Sequence, residues 1–129
     1  MNINDIKNKI LDGTYPSRVV QERQNKHIEG TKQFAQKREQ MQKLSPGSEP
    51  SIVNDGIDIQ NLVDKYKGTG DIYFVKNSPD YPRENIVADM VIGKSWWKEA
   101  NKYVDTSMFT ISYSKTGVHI IPINELGRK

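Results

Sequence analysis

The 129-residue sequence contains no cysteine, which excludes disulfides and thiolate-ligated metal sites. Its two histidines are too few for a histidine-rich metal site, and it has no EF-hand or clustered-aspartate motif. No apolar run approaches the roughly 18 residues of a membrane span. The opening MNINDIKNKI also lacks the apolar core of a signal peptide. We therefore expect a cytoplasmic protein with no metal, cofactor or membrane partner.

Hydrophobic residues are also scarce, at 35% of the chain, whereas charged residues make up 27%. This balance predicts one domain with a modest core and some solvated helix. The net charge is +3, and the excess lies in the N-terminal third. Residues 1–50 carry nine Lys or Arg and six Asp or Glu, whereas residues 51–129 carry ten of each. A weakly basic surface is compatible with nucleic acid but does not demonstrate binding.

The distribution of apolar residues predicts helices first and strands afterwards. Helical spacing covers residues 3–12, a very polar stretch at 18–43 that Gly30 and Thr31 interrupt, and 58–67. Residues 44–57 are predicted to form a loop and residues 125–129 a tail. The sequence predicts a single domain of residues 1–129. The strand candidates are 71–76, 84–92, 107–114 and 118–123. This order predicts an α+β fold in which N-terminal helices pack on a four-stranded antiparallel sheet.

Two histidines and a lysine suggest acid–base chemistry on RNA. RNA is cleaved without a metal when a base takes the 2′-hydroxyl proton, an acid protonates the leaving 5′-oxygen, and a cation stabilises the phosphate charge. Imidazole serves either proton role, and lysine serves the third. His27, His119 and Lys115 provide this set, with Ser112, Ser114 and Thr31 as positioning groups. The commoner arrangement of two histidines is one on the surface and one half-buried with its hydrogen bonds satisfied.

The stretch FTISYSKTGVHIIPI, residues 109–123, alternates apolar and polar residues on both sides of a turn and predicts a β-hairpin. A two- or four-residue turn places His119 on the same face as Ser112 and Ser114. A three-residue turn with a bulge places it with Ile111 and Tyr113 instead. The sequence leaves both registers open.

Two further motifs have a structural and a functional interpretation. KGTGD at 67–71, with Thr69, has backbone N–H groups that suit a phosphate, but a flexible helix-to-strand turn is the more usual explanation. Trp96 and Trp97 have rings that suit base stacking, although such a pair more often covers the edge of a small core.

Four blocks of the chain together resemble the polymorphic toxin type 50 domain. They are RQNKHIEGTKQF (23–34), LVDKYKGTGDI (62–72), ENIVADMVIG (84–93) and FTISYSKTGVHIIP (109–122). That domain is also found at the C-terminus of phage head-morphogenesis, or minor capsid, proteins. The resemblance implies a predicted ribonuclease of the barnase/EndoU/colicin/RelE-like fold. It also implies association with a phage or mobile element, in the host cytoplasm or packaged in a virion.

The family motifs fall on the residues already selected. His27 and Thr31 match its HI-x-GT block, Thr69 its GTG, and Lys115 and His119 its closing block. Ser112 departs from the family, which usually has histidine at that position. This departure motivates an alternative hypothesis, in which a catalytically weakened protein binds a host or virion protein through the same fold. RNA is the expected partner under the first hypothesis, and an immunity protein or capsid component is a candidate protein partner.

Overall fold

The computed structural model describes residues 2–124, and the predicted tail lies outside this range. The helices are α1 (Ile3–Leu11), α2 (Gln21–Gln24), α3 (Lys32–Leu44) and α4 (Ile59–Tyr66), with 3-10 turns at Asn25–His27 and Lys98–Ala100. The strands are β1 (Ile52–Val53), β2 (Asp71–Val75), β3 (Ser78–Val87), β4 (Gly93–Trp97), β5 (Lys102–Thr106), β6 (Met108–Ser114) and β7 (Gly117–Ile123).

The predicted α+β fold is confirmed. β2, β3, β6 and β7 form a four-stranded sheet in that order, and every adjacent pair is antiparallel. One face of this sheet packs against α1 and α4 to form the core, because apolar residues alternate along the strands. The buried side chains from the sheet are Ile86, Phe109, Ile111, Tyr113, Val118 and Ile120, and those from the two helices are Ile6, Ile10, Leu62 and Val63.

The predicted strand at 84–92 is displaced along the chain. The strand starts at Ser78, within residues 77–83 that separate the predicted strands 71–76 and 84–92, and it ends at Val87. Prolines usually exclude a central strand because they cannot donate to the ladder. Here Pro79 and Pro82 precede the first residue paired with β6, and they lie where the pairing with β2 becomes irregular.

A second, three-stranded sheet of β1, β4 and β5 was not predicted from the sequence. β1 lies inside the segment 44–57 that was assigned to a loop, and its two residues pair with Gly93 and Lys94. β4, which contains Trp96 and Trp97, forms a hairpin with β5. Asn101 adopts a left-handed conformation at the turn of this hairpin, with φ of 54°. A two-residue strand has too little periodicity to be recognised without its partner.

The predicted helical stretch at 18–43 divides into several pieces. Residues 18–20 are extended, and Val19 forms a parallel bridge with Val118 on β7. Thr31 caps α3, because its hydroxyl accepts the Phe34 backbone N–H at 3.0 Å. No described residue of α3 is buried, which agrees with its polar sequence.

Candidate active site

His27 and His119 lie next to each other. Their imidazole rings are nearly parallel, with 6.1 Å between the centroids and 8° between the planes. Both rings line one cleft of about 550 Å³ beside the edge of the four-stranded sheet, a volume typical of small-ligand sites. His27 is 5% exposed, and His119 is half-buried. The cleft therefore brings together the two residues that the sequence proposes for proton transfer.

Backbone pairing with β7 holds His27 in place. The Val20 N–H donates to the Val118 carbonyl at 2.8 Å, and the Val118 N–H donates to the Arg18 carbonyl at 2.9 Å. These bonds dock residues 18–20 along β7, and α2 and the turn that ends at His27 follow directly in the chain.

The side chain of Gln24 forms a second link to the same strand. Gln24 is fully buried, and its amide pairs with both backbone groups of Ile120. The Gln24 Nε2 donates to the Ile120 carbonyl at 3.0 Å, and the Ile120 N–H donates to Gln24 Oε1 at 2.7 Å. Because Ile120 follows His119 directly, this clamp determines where α2 and the His27 turn lie relative to His119.

The β6–β7 hairpin adopts the first of the two predicted registers. Ser114 pairs with Gly117 across a two-residue turn of Lys115 and Thr116, and Ser112 pairs with His119. His119, Ser112 and Ser114 therefore lie on the same face of the sheet, opposite the core.

A row of polar side chains crosses that face. Arg83 on β3 pairs with Ser112, which in turn pairs with His119, and Tyr73 on β2 pairs with Arg83. Arg83 also lines the histidine cleft. The sequence prediction missed Arg83 because it lies just before the predicted strand at 84–92. Arg83 can be identified once the pairing of β3 with β6 is known, because it then lies opposite Ser112.

A hydrogen bond determines the tautomer of His27. Its Nδ1 lies 3.0 Å from the Ser51 carbonyl oxygen and 3.1 Å from the Ser51 hydroxyl oxygen. A carbonyl oxygen only accepts, so Nδ1 carries the proton of the neutral ring and Nε2 carries the basic lone pair. This assignment follows from the hydrogen-bond partner. Ser51 therefore orients a ring that can accept a proton at Nε2.

Both histidines are neutral at pH 7. Burial lowers the pKa of His27 to about 4, and the positive charges of Lys37 and Lys26 act in the same direction. Burial also lowers the pKa of His119 to about 4, with further contributions from His27 and nearby cations. The shared cause is the cost of placing charge in a poorly solvated, positively charged cleft.

The cleft is positively charged overall. Four cationic side chains line it, and the single carboxylate among the described lining residues, Glu49, already forms a bidentate pair with Arg38 at 2.7 and 3.0 Å. The cationic residues are Lys26, Lys37, Arg83 and Lys98. Such a cleft favours an anion such as phosphate.

Lys115, which was predicted to supply the catalytic cation, is not among the residues that line the cleft. It is exposed in the two-residue turn at the end of the β6–β7 hairpin. The alternation of side chains along a strand predicts the face on which each strand residue lies, but it does not predict the direction of a side chain in the turn. Arg83, Lys26 and Lys37 are therefore better placed for this role.

Thr31 and Ser114 have contacts within the protein. The Thr31 hydroxyl caps α3 and donates towards the carbonyls of Asn25 and Ile28, at 2.6 and 2.9 Å. The Ser114 hydroxyl accepts from Arg23 at 2.5 Å and donates to the Gly117 carbonyl at 2.7 Å. Thr31 and Ser114 thus support the elements around the cleft, and neither is among its lining residues.

The GTG motif encloses a carboxylate of the protein itself. Glu84 is fully buried and accepts the N–H groups of Gly68 and Gly70, at 3.0 and 2.8 Å, and the Tyr113 hydroxyl at 2.8 Å. The Thr69 N–H and hydroxyl both donate to the Tyr66 carbonyl. Thr69 is therefore part of a structural turn. It does not line the histidine cleft.

Trp96 lies at the border of the cleft. Its Nε1 donates to the Gly47 carbonyl at 2.7 Å, and its ring meets Tyr103 edge-on with 4.9 Å between centroids. These contacts attach the 45–51 loop to the second sheet. They agree with the structural interpretation, in which the Trp pair covers the edge of a small core. The ring of Trp96 also lines the cleft.

The part of the chain from residue 2 to residue 124 holds no group of three or more His, Cys, Asp or Glu side chains arranged to bind a metal ion. None of its helices is long and apolar enough to cross a membrane.

Taken together, the fold and the cleft define a small α+β domain with a paired-histidine site. Residues 19–122 match the family bacterial toxin 50 (Ntox50), and this match spans most of the chain. The protein therefore belongs to that family, which confirms the resemblance found in the sequence. No curated protein gives a significant match. The phage, capsid and compartment associations stay predictions.

Proposed function

We propose that this protein is a toxin-type endoribonuclease whose proton transfers are performed by His27 and His119. The observation that carries the proposal is that these two rings lie side by side, with 6.1 Å between their centroids, in a cleft lined by cationic side chains. Membership of a toxin family supports a damaging activity of this kind. RNA is the proposed substrate, because its 2′-hydroxyl provides the nucleophile.

The geometry suggests how the two roles divide. His27 has its Nδ1–H directed at the Ser51 carbonyl, so Nε2 is available to take the proton of the 2′-hydroxyl. The 2′-oxygen then attacks the adjacent phosphorus, and the bond from phosphorus to the 5′-oxygen breaks. His119, once protonated, delivers its proton to that leaving oxygen. The products are a 2′,3′-cyclic phosphate and a free 5′-hydroxyl.

Arg83 is the group that we assign to charge stabilisation. It lies in register with Ser112 and His119 and lines the same cleft. A guanidinium binds two phosphate oxygens at once and stays charged throughout the reaction. Ser112 lies between Arg83 and His119 in the row, where its hydroxyl is placed to position a substrate oxygen. Neither proton role needs a histidine at position 112, because His27 already provides the second imidazole.

The experiment incubates purified protein with mixed RNA in EDTA, beside His27→Ala and His119→Ala. We expect wild-type cleavage with 2′,3′-cyclic phosphate ends, and a loss of about 10²- to 10⁴-fold in each variant. DNA of the same sequence should stay intact, because it lacks the 2′-hydroxyl. Circular dichroism verifies that the variants fold.

Two results would overturn the proposal. If the wild-type protein cleaves no RNA, the chain is not a ribonuclease. If both histidine variants cleave as fast as wild type, the activity comes from another site or from a contaminant. A Ser112→His variant, which restores the usual family residue, examines the first of these results further. Cleavage by this variant alone would show that the natural chain has lost a base.

A further inference from the structure

A second groove adjoins the histidine cleft. It has a volume of about 460 Å³ and runs between α3 and the segment made of α2 and the following 3-10 turn. Lys26 and Lys37 line both the groove and the cleft, so the two form one continuous surface. Arg23 also lines the groove, and its guanidinium reaches Ser114 on the β6–β7 hairpin.

The wall that α3 contributes is polar. Gln33, Gln36, Lys37 and Gln40 recur at the three- and four-residue spacing of one helix face, and all four line the groove. α3 has no buried residue, so this face is not explained by packing in the core. Amide side chains both donate and accept hydrogen bonds, as the edges of nucleobases require.

The charge of the groove favours an anionic chain. Arg23, Lys26 and Lys37 oppose a single carboxylate, Glu22, among the described residues that line it. A positively charged groove is a surface that tracks the backbone of a single strand. Double-stranded RNA is instead recognised by shape across its minor groove, from outside the helix.

We propose that this groove between α2 and α3 binds the nucleotides next to the scissile phosphate, and that the substrate is single-stranded RNA of several nucleotides. The inference rests on the proposed ribonuclease function and extends it. A substrate that occupies the cleft alone, such as a dinucleotide, gains none of the groove contacts. A longer strand gains them all, and its binding releases counterions at each phosphate.

The test measures binding and cleavage separately. The binding probe is a single-stranded 2′-O-methyl oligoribonucleotide of about 12 nucleotides, which the enzyme cannot cleave because the nucleophile is blocked. Its Kd is measured by fluorescence anisotropy at several salt concentrations. The groove variants are Gln36→Glu/Gln40→Glu, which adds two negative charges, and Gln36→Lys/Gln40→Lys, which adds two positive charges. The matched control, Lys7→Gln/Lys76→Gln, changes the net charge by the same two units at exposed positions that line neither groove nor cleft.

We expect the Glu variant to bind about tenfold more weakly and the Lys variant more tightly than wild type, with the control nearly unchanged. The slope of log Kd against log salt should fall by about 0.7 for each phosphate contact that the Glu variant loses. The kcat/KM ratio of a cleavable 12-mer to a dinucleotide should fall in the Glu variant, and taking this ratio cancels any effect of the added charges that is common to both substrates.

Three results would overturn the inference while leaving the histidine site intact. They are equal affinities for all the variants, equal cleavage of dinucleotide and 12-mer, and an active wild-type enzyme that does not bind the oligonucleotide. Failure of the ribonuclease proposal looks different, because the wild-type protein would then cleave neither substrate.

Discussion

The imidazole of His27 lies parallel to that of His119, with 6.1 Å between the ring centroids. One ring ends a 3-10 turn, whereas the other belongs to β7. Any change that moves the turn relative to the strand alters the distance between the rings, and with it the geometry on which the proposed proton transfers depend.

Removing the Gln24 clamp should disturb both stability and catalysis. Gln24→Ala leaves the N–H and C=O of Ile120 without their side-chain partner, which costs about 1–3 kcal/mol in the free energy of unfolding. Cleavage should fall at least tenfold, because small misplacements of catalytic groups are costly. Urea unfolding and initial rates measure the two effects. Gln21→Ala, on the exposed side of α2, is the control and should leave both values near wild type.

Gly117 should not tolerate a side chain. Its φ is +140°, and an added Cβ would lie 2.2 Å from the Arg18 carbonyl oxygen. We expect Gly117→Ala to destabilise the protein by more than about 1 kcal/mol, because the docked segment at 18–20 must move away. Gly56→Ala is the matched control, since Gly56 also has positive φ but has nothing within 4 Å of an added Cβ. Equal melting temperatures for the two variants would show that the contact with Arg18 is unimportant.

Stability should decrease as the pH falls below about 6.5. The pKa of each histidine is about 4 in the folded chain, against 6.5 as the ordinary value. Between these values the unfolded chain binds protons that the folded chain does not, so acid favours unfolding. By pH 5 the loss should reach about 2 kcal/mol for each histidine, measured by urea unfolding at pH 7, 6 and 5. His27→Gln/His119→Gln should flatten this dependence, and a flat profile in wild type would contradict the prediction.

Under the proposed mechanism, the rate of RNA cleavage should increase as the pH falls. In that mechanism kcat/KM depends on the fraction of free protein with His119 protonated, and a pKa of about 4 makes that fraction small at pH 7. We therefore expect kcat/KM to rise by about tenfold for each unit between pH 8 and pH 5. A bound phosphate stabilises the imidazolium, so the kcat profile should lie at higher pH than the kcat/KM profile. A kcat/KM that increases with pH would reject His119 as the acid.

Arg83 and Lys115 can be compared directly as candidates for the cation of the proposed mechanism. Arg83 lines the cleft, whereas Lys115 lies exposed in the hairpin turn. Arg83→Gln should reduce kcat by about 10²-fold or more, and Lys115→Gln by less than about threefold. Single-turnover rates at saturating RNA separate this effect from binding. The reverse order would restore the assignment made from the sequence.

Local sequence determined the elements that depend on neighbouring residues. Caps form over three residues, so Thr31 could be recognised as the start of α3. The β6–β7 hairpin was evident from strict alternation around a short turn, and the α+β order followed from where the two periodicities lie. The two histidines could be chosen because the chain has no others.

Tertiary structure decided how these elements meet. Gln24 and Ile120 are 96 residues apart, and no local pattern shows that one clamps the other. The start of β3 tolerates its prolines because it lies beyond the residues that pair with β6. Where that pairing begins depends on the partner strand and not on the sequence of β3 itself. The cleft consequently includes Arg83 and excludes Lys115. Strand pairing between distant segments sets these positions, because each register is chosen by long-range hydrogen bonds and burial that no short stretch contains.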